Sequence, residues 1–437
     1  MAKISNTILE FTEVFKEHGI ECNEELNPSN KLVKRFIRMA KEVPDKRMKG
    51  MIDYPLHEIL LIAFFAVLSG AETWTEMAMF GKMREEWLKS FLKYKRGTPS
   101  HDTFRRVFSL ISPNIFQGLI VDFLMENMNR IKASLGLNPK GRRLLNVDGK
   151  EATGTGRKSS KYGALPDLQA LNIYDASNSI CIAMKDIDCK TNEIPTAQEI
   201  LPLINIKGGI VTCDALNTQK GTVEAIVNGK ADYVIALKRN HHSFYEEVDL
   251  YFTEEKKEEI REKEIGYVTT VEKAHSKTER RNFYYTDDIK WFHDRKEWKK
   301  LHSFICYEKL IHDHQTDTDT VEIRYFISSL NDPELCAESI RGHWSVENLL
   351  HWHLDVSFGD DRDMTTDKNA YMNFSAMRRM ALTLCKISQS FMKCSIKNMR
   401  WAIGLEYKQV LGTILGTLDE DFLEQALITA NQKKQIS

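Results

Sequence analysis

The chain has 437 residues, 28 % of them charged, and a net charge of −1 at pH 7; that length gives room for two or three domains and a substantial core. Eight cysteines, at 22, 181, 189, 213, 306, 336, 385 and 394, include no pair at metal-finger spacing, which points to reduced thiols and away from a zinc or disulfide framework. The opening Met1-Ala2-Lys3-Ile4-Ser5-Asn6 is not leader-like and the longest span candidate, the apolar stretch 59–70, is too short to cross a bilayer, so a cytoplasmic protein with no membrane partner is expected.

The near-neutral total hides a basic N-terminal part: residues 1–145 carry 23 Lys and Arg against 17 Asp and Glu. In the charged lead-in, 1–50, Lys31, Lys34, Arg35, Arg38, Lys41, Lys46, Arg47 and Lys49 crowd together. Phosphate attraction and a solvated linker or helix face are equal readings of that cluster. Residues 51–140 show helical periodicity, with helices expected at 57–68, 74–94, 100–110 and 115–133 and a helix start at Pro99-Ser100. Read as a helix-turn-helix, the stretch from His101 is a recognition helix with Arg105 and Arg106 toward DNA; an ordinary bundle helix is the alternative.

From residue 141 the pattern changes to strands, expected at 144–147, 170–174, 180–186, 210–213 and 233–237, with helices at 196–203 and 218–227. Three consecutive strands followed by alternating helices and strands is the order of an α/β, ribonuclease H-like domain. Thr196 and Glu199 read as a capping box, which makes Glu199 a cap, and Glu193 reads as a helix-start residue. Between about 253 and 331 the chain is strand-rich and charged, with strands at 267–271, 282–285, 302–307 and 321–328. There Lys273, His275, Lys277, Arg280 and Arg281 form either a basic edge suited to a DNA backbone or a solvated hairpin face. Around 341–352 the chain reads as helix, with Glu347 and His351 on one face and Trp344 nearby. Helices continue from 363, where Met377, Met380, Leu382 and Leu384 supply a core face and Arg378 and Arg379 a basic corner.

Three acids stand out in this layout. Asp148 ends an apolar run and Gly149 reads as releasing the chain into a turn; Asp214 ends a second apolar run after Ile210-Val211-Thr212-Cys213; Glu347 is carried on the helix. Any one alone is a turn former, a cap or a solvated glutamate. Together, in the order strand, strand, helix, they suit a shared divalent cation. Hard Mg²⁺ prefers carboxylate and phosphate oxygen, and clustered carboxylates without a cation would raise one another's pKa.

The residues around these acids resemble a known family. Val147-Asp148-Gly149-Lys150, Thr191-Asn192-Glu193-Ile194-Pro195, Thr212-Cys213-Asp214-Ala215 with Gln219-Lys220, and 231–238 with Asn240 are similar to bacterial insertion-sequence transposases of the DDE class, in particular the H-repeat-associated group. His275, Glu279 and Arg281 continue the likeness, which is densest over Arg341-Gly342-His343-Trp344-Ser345-Val346-Glu347-Asn348 and Leu350-His351-Trp352. Upstream, Tyr54-Pro55-Leu56 and residues 100–108 look like the helical module that accompanies the family's catalytic domain. The likeness spans about residues 50 to 385. It departs at Glu151-Ala152-Thr153, where the family has Thr, Arg and small residues, and at Ile340, His343 and Leu354, where related transposases carry the Tyr, Arg and Lys around the third acid.

The resemblance implies a helical DNA-binding module over 51–140, a ribonuclease H-like catalytic domain over 141–385 with a β-rich insertion at about 253–331, and a helical tail over 386–437. It implies DNA strand cleavage at transposon ends and transfer of the 3′-hydroxyl to target DNA, with two Mg²⁺ ions for which Mn²⁺ can substitute. Asp148 would bridge both ions, Asp214 bind one and Glu347 the other. Lys150, Arg341 and His351 would orient phosphates, with Lys238, His275, Lys277, Arg281, Arg105 and Arg106 as further DNA contacts. The partners implied are double-stranded DNA, as terminal inverted repeats and target, and a second copy of the chain in a homodimer on DNA. A metal-dependent nuclease and a domesticated DNA-binding protein are the alternatives. Gly154-Thr155-Gly156-Arg157 lacks the context of a phosphate loop, and no Gly-x-Ser-x-Gly elbow occurs.

Overall fold

Alternating and β-branched runs dictate the framework, which a computed structural model describes for residues 3–18, 25–137, 141–157, 163–187, 192–274, 276–392, 394–425 and 427–428. The strands are β1 (Leu144–Ala152), β2 (Leu168–Asp175), β3 (Ile180–Ile187), β4 (Ile210–Cys213), β5 (Asp232–Leu237), β6 (Tyr267–Ala274), β7 (Lys277–Thr286), β8 (Ser303–Asp313) and β9 (Thr318–Ser328). They form one mixed sheet in the order β3-β2-β1-β4-β5-β9-β8-β7-β6. β1 pairs antiparallel with β2 and parallel with β4, β4 is parallel to β5, and β5 is antiparallel to β9. The strand-rich region 253–331 therefore extends the central sheet through β9 rather than hanging from it.

Strand parity decides which helix covers which face. Leu145, Val147, Val211, Cys213 and Tyr233 are buried with Ala197, Val223 and Val248 of helices Glu193–Ile200, Lys220–Asn228 and His242–Tyr251. The opposite parity, Leu144, Ile210 and Val234, is buried with Leu335, Cys336 and Ile340 of helix Pro333–His343. A third, helical core joins both ends of the chain. In it the nearly all-buried helix Leu56–Leu68 packs with helices His101–Leu110, Pro113–Ser134, Lys368–Met392, Ile396–Leu405 and Tyr407–Gly416, and with Tyr174 and Ile180 of the sheet. No single helix among the described residues is long and apolar enough to cross a membrane.

Four local expectations are corrected. β1 runs through Asp148 and Gly149 to Ala152, so Asp148 lies within a strand: the β2 ladder, Asp148 opposite Asn172 and Gly149 opposite Leu171, holds the glycine extended. The helix expected from Thr196 begins three residues earlier, because the Asn192 side chain accepts from the Ile194 N–H at 3.1 Å. Thr196 is then buried in mid-helix, and Glu199 pairs with Lys185 instead of capping. The helix expected over 74–94 stops at Met83, and Tyr94 adopts φ 46°. Finally, 341–352 is not one α-helix: Pro333–His343 gives way to a π-helical stretch, Val346–His351, and then to helix Trp352–Phe358. π-helical turns widen a helix at a cost in packing and recur at functional sites.

Candidate functional site

Parallel pairing brings the first two acids together. The β1–β4 register ends with Val147 opposite Cys213, so Asp148 and Asp214 are the next residues of neighbouring parallel strands. Asp214 opens a tight turn, Ala215–Asn217, and accepts from the Asn217 N–H at 3.3 Å and its side-chain amide at 3.1 Å. Glu347 is exposed on the π-helical stretch, which packs beside β1, and it lines with Asp214 a cleft of about 530 Å³.

A fourth carboxylate joins these three. Glu193, at the start of its helix, accepts at 3.3 Å from the same Asn217 amide nitrogen that Asp214 uses, so one NH₂ group ties the two acids. Its carboxylate also lies against Gly149, where a Cβ would overlap it. A side chain at 149 would have to push the Glu193 carboxylate aside, and the glycine makes no turn. Gly149→Ala is accordingly expected to displace Glu193 and to weaken divalent-metal binding, which calorimetry with Mn²⁺ would register; unchanged binding would show the contact to be incidental. Sequence reading left Glu193 as a helix-start residue, which it is, but placed the cap at Thr196, four positions after Asn192, and so gave Glu193 no part among the acids.

Electrostatics marks Asp148 as the focus. Burial, then the charges of Glu193, Glu347 and Asp214, push its carboxyl up to about 7, against a partial offset from the Gly149 N–H. Burial and Asp214 raise Glu193 as well. His351 brings its Nδ1 to 3.4 Å from the Asp148 carboxylate, but burial and the charges of Arg379 and Lys150 depress the imidazole to about 3, so it is neutral and gives Asp148 no countercharge. A chain of contacts orients that ring. Arg379 donates to the Asn172 side-chain oxygen at 2.9 and 3.2 Å, which turns the amide nitrogen toward His351 Nε2 at 3.4 Å and leaves Nδ1–H for Asp148.

A sign follows for pH. A carboxyl raised from 3.8 to about 7 supports the fold below its ordinary value, and that support is lost as pH rises through about 7. Asp148→Asn removes the group. The metal-free Asp148→Asn chain is therefore expected to exceed the native chain in stability at pH 8, on the order of 1–3 kcal/mol, and not at pH 4. Urea melts in EDTA at both pH values check this, and a gain equal at both would refute it.

The other expected contacts divide. Lys238 is exposed and lines the cleft with Asp214 and Glu347, joined by Arg239 and Arg324, which sequence reading did not single out. Arg105 and Arg106 are exposed on helix His101–Leu110, whose other face buries Phe104, Val107 and Phe108. Lys150, expected at a phosphate, is buried here with its ammonium 2.6 Å from Asp355 and 3.2 Å from Asp361. Arg281 is likewise held between Glu272 at 2.8 Å and Glu279 at 2.5 Å, Arg341 pairs with Glu272, and Lys277 lies 3.4 Å from Asp313. His275 lies outside the described residues. Of the basic lead-in, Lys31 and Arg35 pair with Asp421 and Glu420 near the other end of the chain, which favours the helix-face reading there.

Among the described residues no three His, Cys, Asp or Glu side chains converge as a preformed metal cluster. The donor set nevertheless suits a hard divalent ion, because burial and repelling carboxylates push Asp148 up to about 7 and the imidazole beside it is neutral. Exposed Glu347 has rotameric freedom to turn inward.

The family model described as transposase DDE domain matches residues 139–384, and the model described as DDE_Tnp_1-associated matches 37–124. YbfL of Escherichia coli (strain K12) is 30 % identical over 85 % of this chain and 95 % of its own length. YncI of E. coli O157:H7, a transposase by name, is 30 % identical over 83 % and 90 %, and the H repeat-associated YhhI of E. coli (strain K12) is 29 % identical over 85 % and 95 %. Among solved structures, a piggyBac transposase synaptic complex with hairpin DNA is similar at a TM-score of 0.34 and 10 % identity, over 98 % of this chain and 82 % of that one. The chain belongs to the transposase DDE domain family, within its H repeat-associated group.

Proposed function

We propose that this protein is a DNA transposase that cleaves strands at the ends of a mobile element and joins the freed 3′-hydroxyls to target DNA, using Asp148, Asp214 and Glu347 as its catalytic carboxylates. The observation that carries the reading is the parallel register that puts Asp148 and Asp214 side by side, with the charge of Glu347 felt at Asp148. The strand order β3-β2-β1-β4-β5, antiparallel over the first three and parallel over the last three, supports a ribonuclease H-like catalytic domain.

Attack on a phosphodiester places negative charge on the entering and leaving oxygens. Two Mg²⁺ ions, replaceable by Mn²⁺, supply the stabilisation of that charge when bound. Asp148, Asp214 and Glu347 are the residues that would hold them, with Glu193 tied to Asp214 through the Asn217 amide. Lys238, Arg239 and Arg324 give the cleft wall positive charge for DNA phosphates, and Arg105 and Arg106 offer a second basic surface. Two element ends must be processed together, which calls for a homodimer on DNA.

The test uses the DNA that flanks the coding region. Labelled flanks, purified protein, Mg²⁺ and a plasmid target are expected to yield nicks with 3′-hydroxyl ends and joined products. Nicks without joining would leave a metal-dependent nuclease, and no nicks with Mg²⁺ or Mn²⁺ would sink the enzymatic reading.

A further inference from the structure

Beneath the acids lies a second row of polar side chains, two on the strands that lead to Asp148 and Asp214 and one at the end of the helix that leads into the π-helical stretch of Glu347. Asn146 stands two residues before Asp148 in β1, Thr212 two before Asp214 in β4, and His343 four before Glu347 at the end of helix Pro333–His343. Asn146 and Thr212 are buried. These residues are hydrogen-bonded to one another. The Asn146 amide nitrogen donates to the carbonyls of Gly342 at 2.8 Å and His343 at 3.3 Å, and to Ser345 Oγ at 2.8 Å. Its oxygen accepts the Thr212 hydroxyl proton at 2.8 Å. With that proton committed, Thr212 Oγ1 can only accept from His343, whose Nδ1 is 2.8 Å away. The imidazole is thereby fixed as the Nδ1–H tautomer.

Residues two apart along a strand share a face, which puts Asn146 beneath Asp148 and Thr212 beneath Asp214. His343 is the last residue of its helix, and Glu347 follows on the π-helical stretch that begins at Val346. A bond that aligns the lower row therefore aligns the row of acids above it. Apolar contacts alone would leave the helix free to slide along the sheet, since burial is non-directional, whereas these hydrogen bonds tolerate little displacement. Gly342 permits the arrangement: a side chain there would strike Leu144 of β1, and its absence lets the helix end settle onto the strand.

We propose that Asn146, Thr212 and His343 are positioning residues that set the mutual register of Asp148, Asp214 and Glu347, and that the site's affinity for divalent metal depends on this hydrogen-bonded row. The inference rests on the function proposed above and adds to it residues beyond the carboxylates themselves. Partners one shell out from metal ligands are worth about 10–100-fold in affinity or activity in other sites.

The experiment compares Thr212→Val, which keeps the shape and removes the hydroxyl, with Thr212→Ser, which keeps the hydroxyl. Mn²⁺ binding is measured by calorimetry on DNA-free protein, beside the Mg²⁺ concentration for half-maximal strand cleavage and the metal-free melting temperature. Thr212→Val is expected to weaken Mn²⁺ binding and raise the Mg²⁺ requirement by about tenfold or more, while Thr212→Ser stays within about twofold of native. Should Thr212→Val fail to fold, His343→Leu cuts the row from the helix side and gives the same readout. Unchanged metal dependence in these variants, or Val and Ser falling alike, would overturn the inference. Asp148→Asn separates the two ideas: loss of its cleavage beside a normal Thr212→Val overturns only the register, whereas native cleavage by Asp148→Asn overturns the catalytic assignment and the register with it.

Discussion

Asp148→Asn, Asp214→Asn and Glu347→Gln are each expected to lower DNA strand cleavage by about 10³-fold while leaving DNA binding within a few-fold of native. The reason is the division of labour in the site. In the proposed function the carboxylates would act on the reacting phosphate through bound metal, whereas charge spread over Lys238, Arg239, Arg324 and the helix carrying Arg105 and Arg106 would hold the DNA. The three substitutions remove charge and little volume. Asp148→Asn is expected to be the most severe of them, since it sits where the other carboxylates' fields converge. Glu193→Gln should fall short of them, at about 10–100-fold, in line with a group tied to Asp214 through Asn217. Cleavage of end-labelled DNA beside a filter-binding assay resolves both quantities. Near-native cleavage by any of the three would remove that residue from the catalytic set, and a loss of binding equal to the loss of cleavage would recast the acids as structural.

Much of this site was legible in the chain because strands write their pairing in parity. Apolar alternation through Val147 and Val211 located β1 and β4, and the acids following those runs are neighbours for the same reason. Single positions failed where the partner is remote. Gly149 read as a turn because its local signal is the same whether a glycine bends the chain or makes room for the side chain of Glu193. Lys150 read as a phosphate ligand because nothing nearby reveals Asp355 and Asp361, whose carboxylates enclose it. The row of Asn146, Thr212 and His343 has bonding partners as many as 199 residues apart, and a polar residue within an apolar strand gives no hint of which one it meets. Arg378 and Arg379 looked like a basic helix corner, yet both are buried.

Arg378 carries the second large effect, on stability. Fully buried, it donates from Nη1 to Asp360 at 2.9 Å and Asp363 at 2.8 Å and from Nη2 to the Glu72 carbonyl at 3.0 Å, and it stacks 3.7 Å over Phe374. Asp360 also accepts from Tyr371 at 3.1 Å and Ser375 at 3.1 Å. Despite the opposing effect of burial, Arg378, Arg379 and Lys150 hold the Asp360 carboxyl below its ordinary 3.8. Its stabilising share is therefore present above 3.8 and lost as pH falls through the lowered value. Arg378→Met keeps the stacking bulk and deletes the charge, which strands two carboxylates in the core. The expected cost is about 3–5 kcal/mol near neutral pH. Without the guanidinium, burial should lift Asp360 above its ordinary value, so the variant's deficit should shrink as pH falls from 8 to 5. Adding Asp360→Asn should recover part of it. This cluster also anchors Gly359, at φ 63°, where the segment bearing Glu347 turns into the following helix, so cleavage is expected to fall along with stability. Urea melts at pH 5 and pH 8 decide the matter: a deficit below about 1 kcal/mol, or one that does not change with pH, would mean the three charges do not act as a unit.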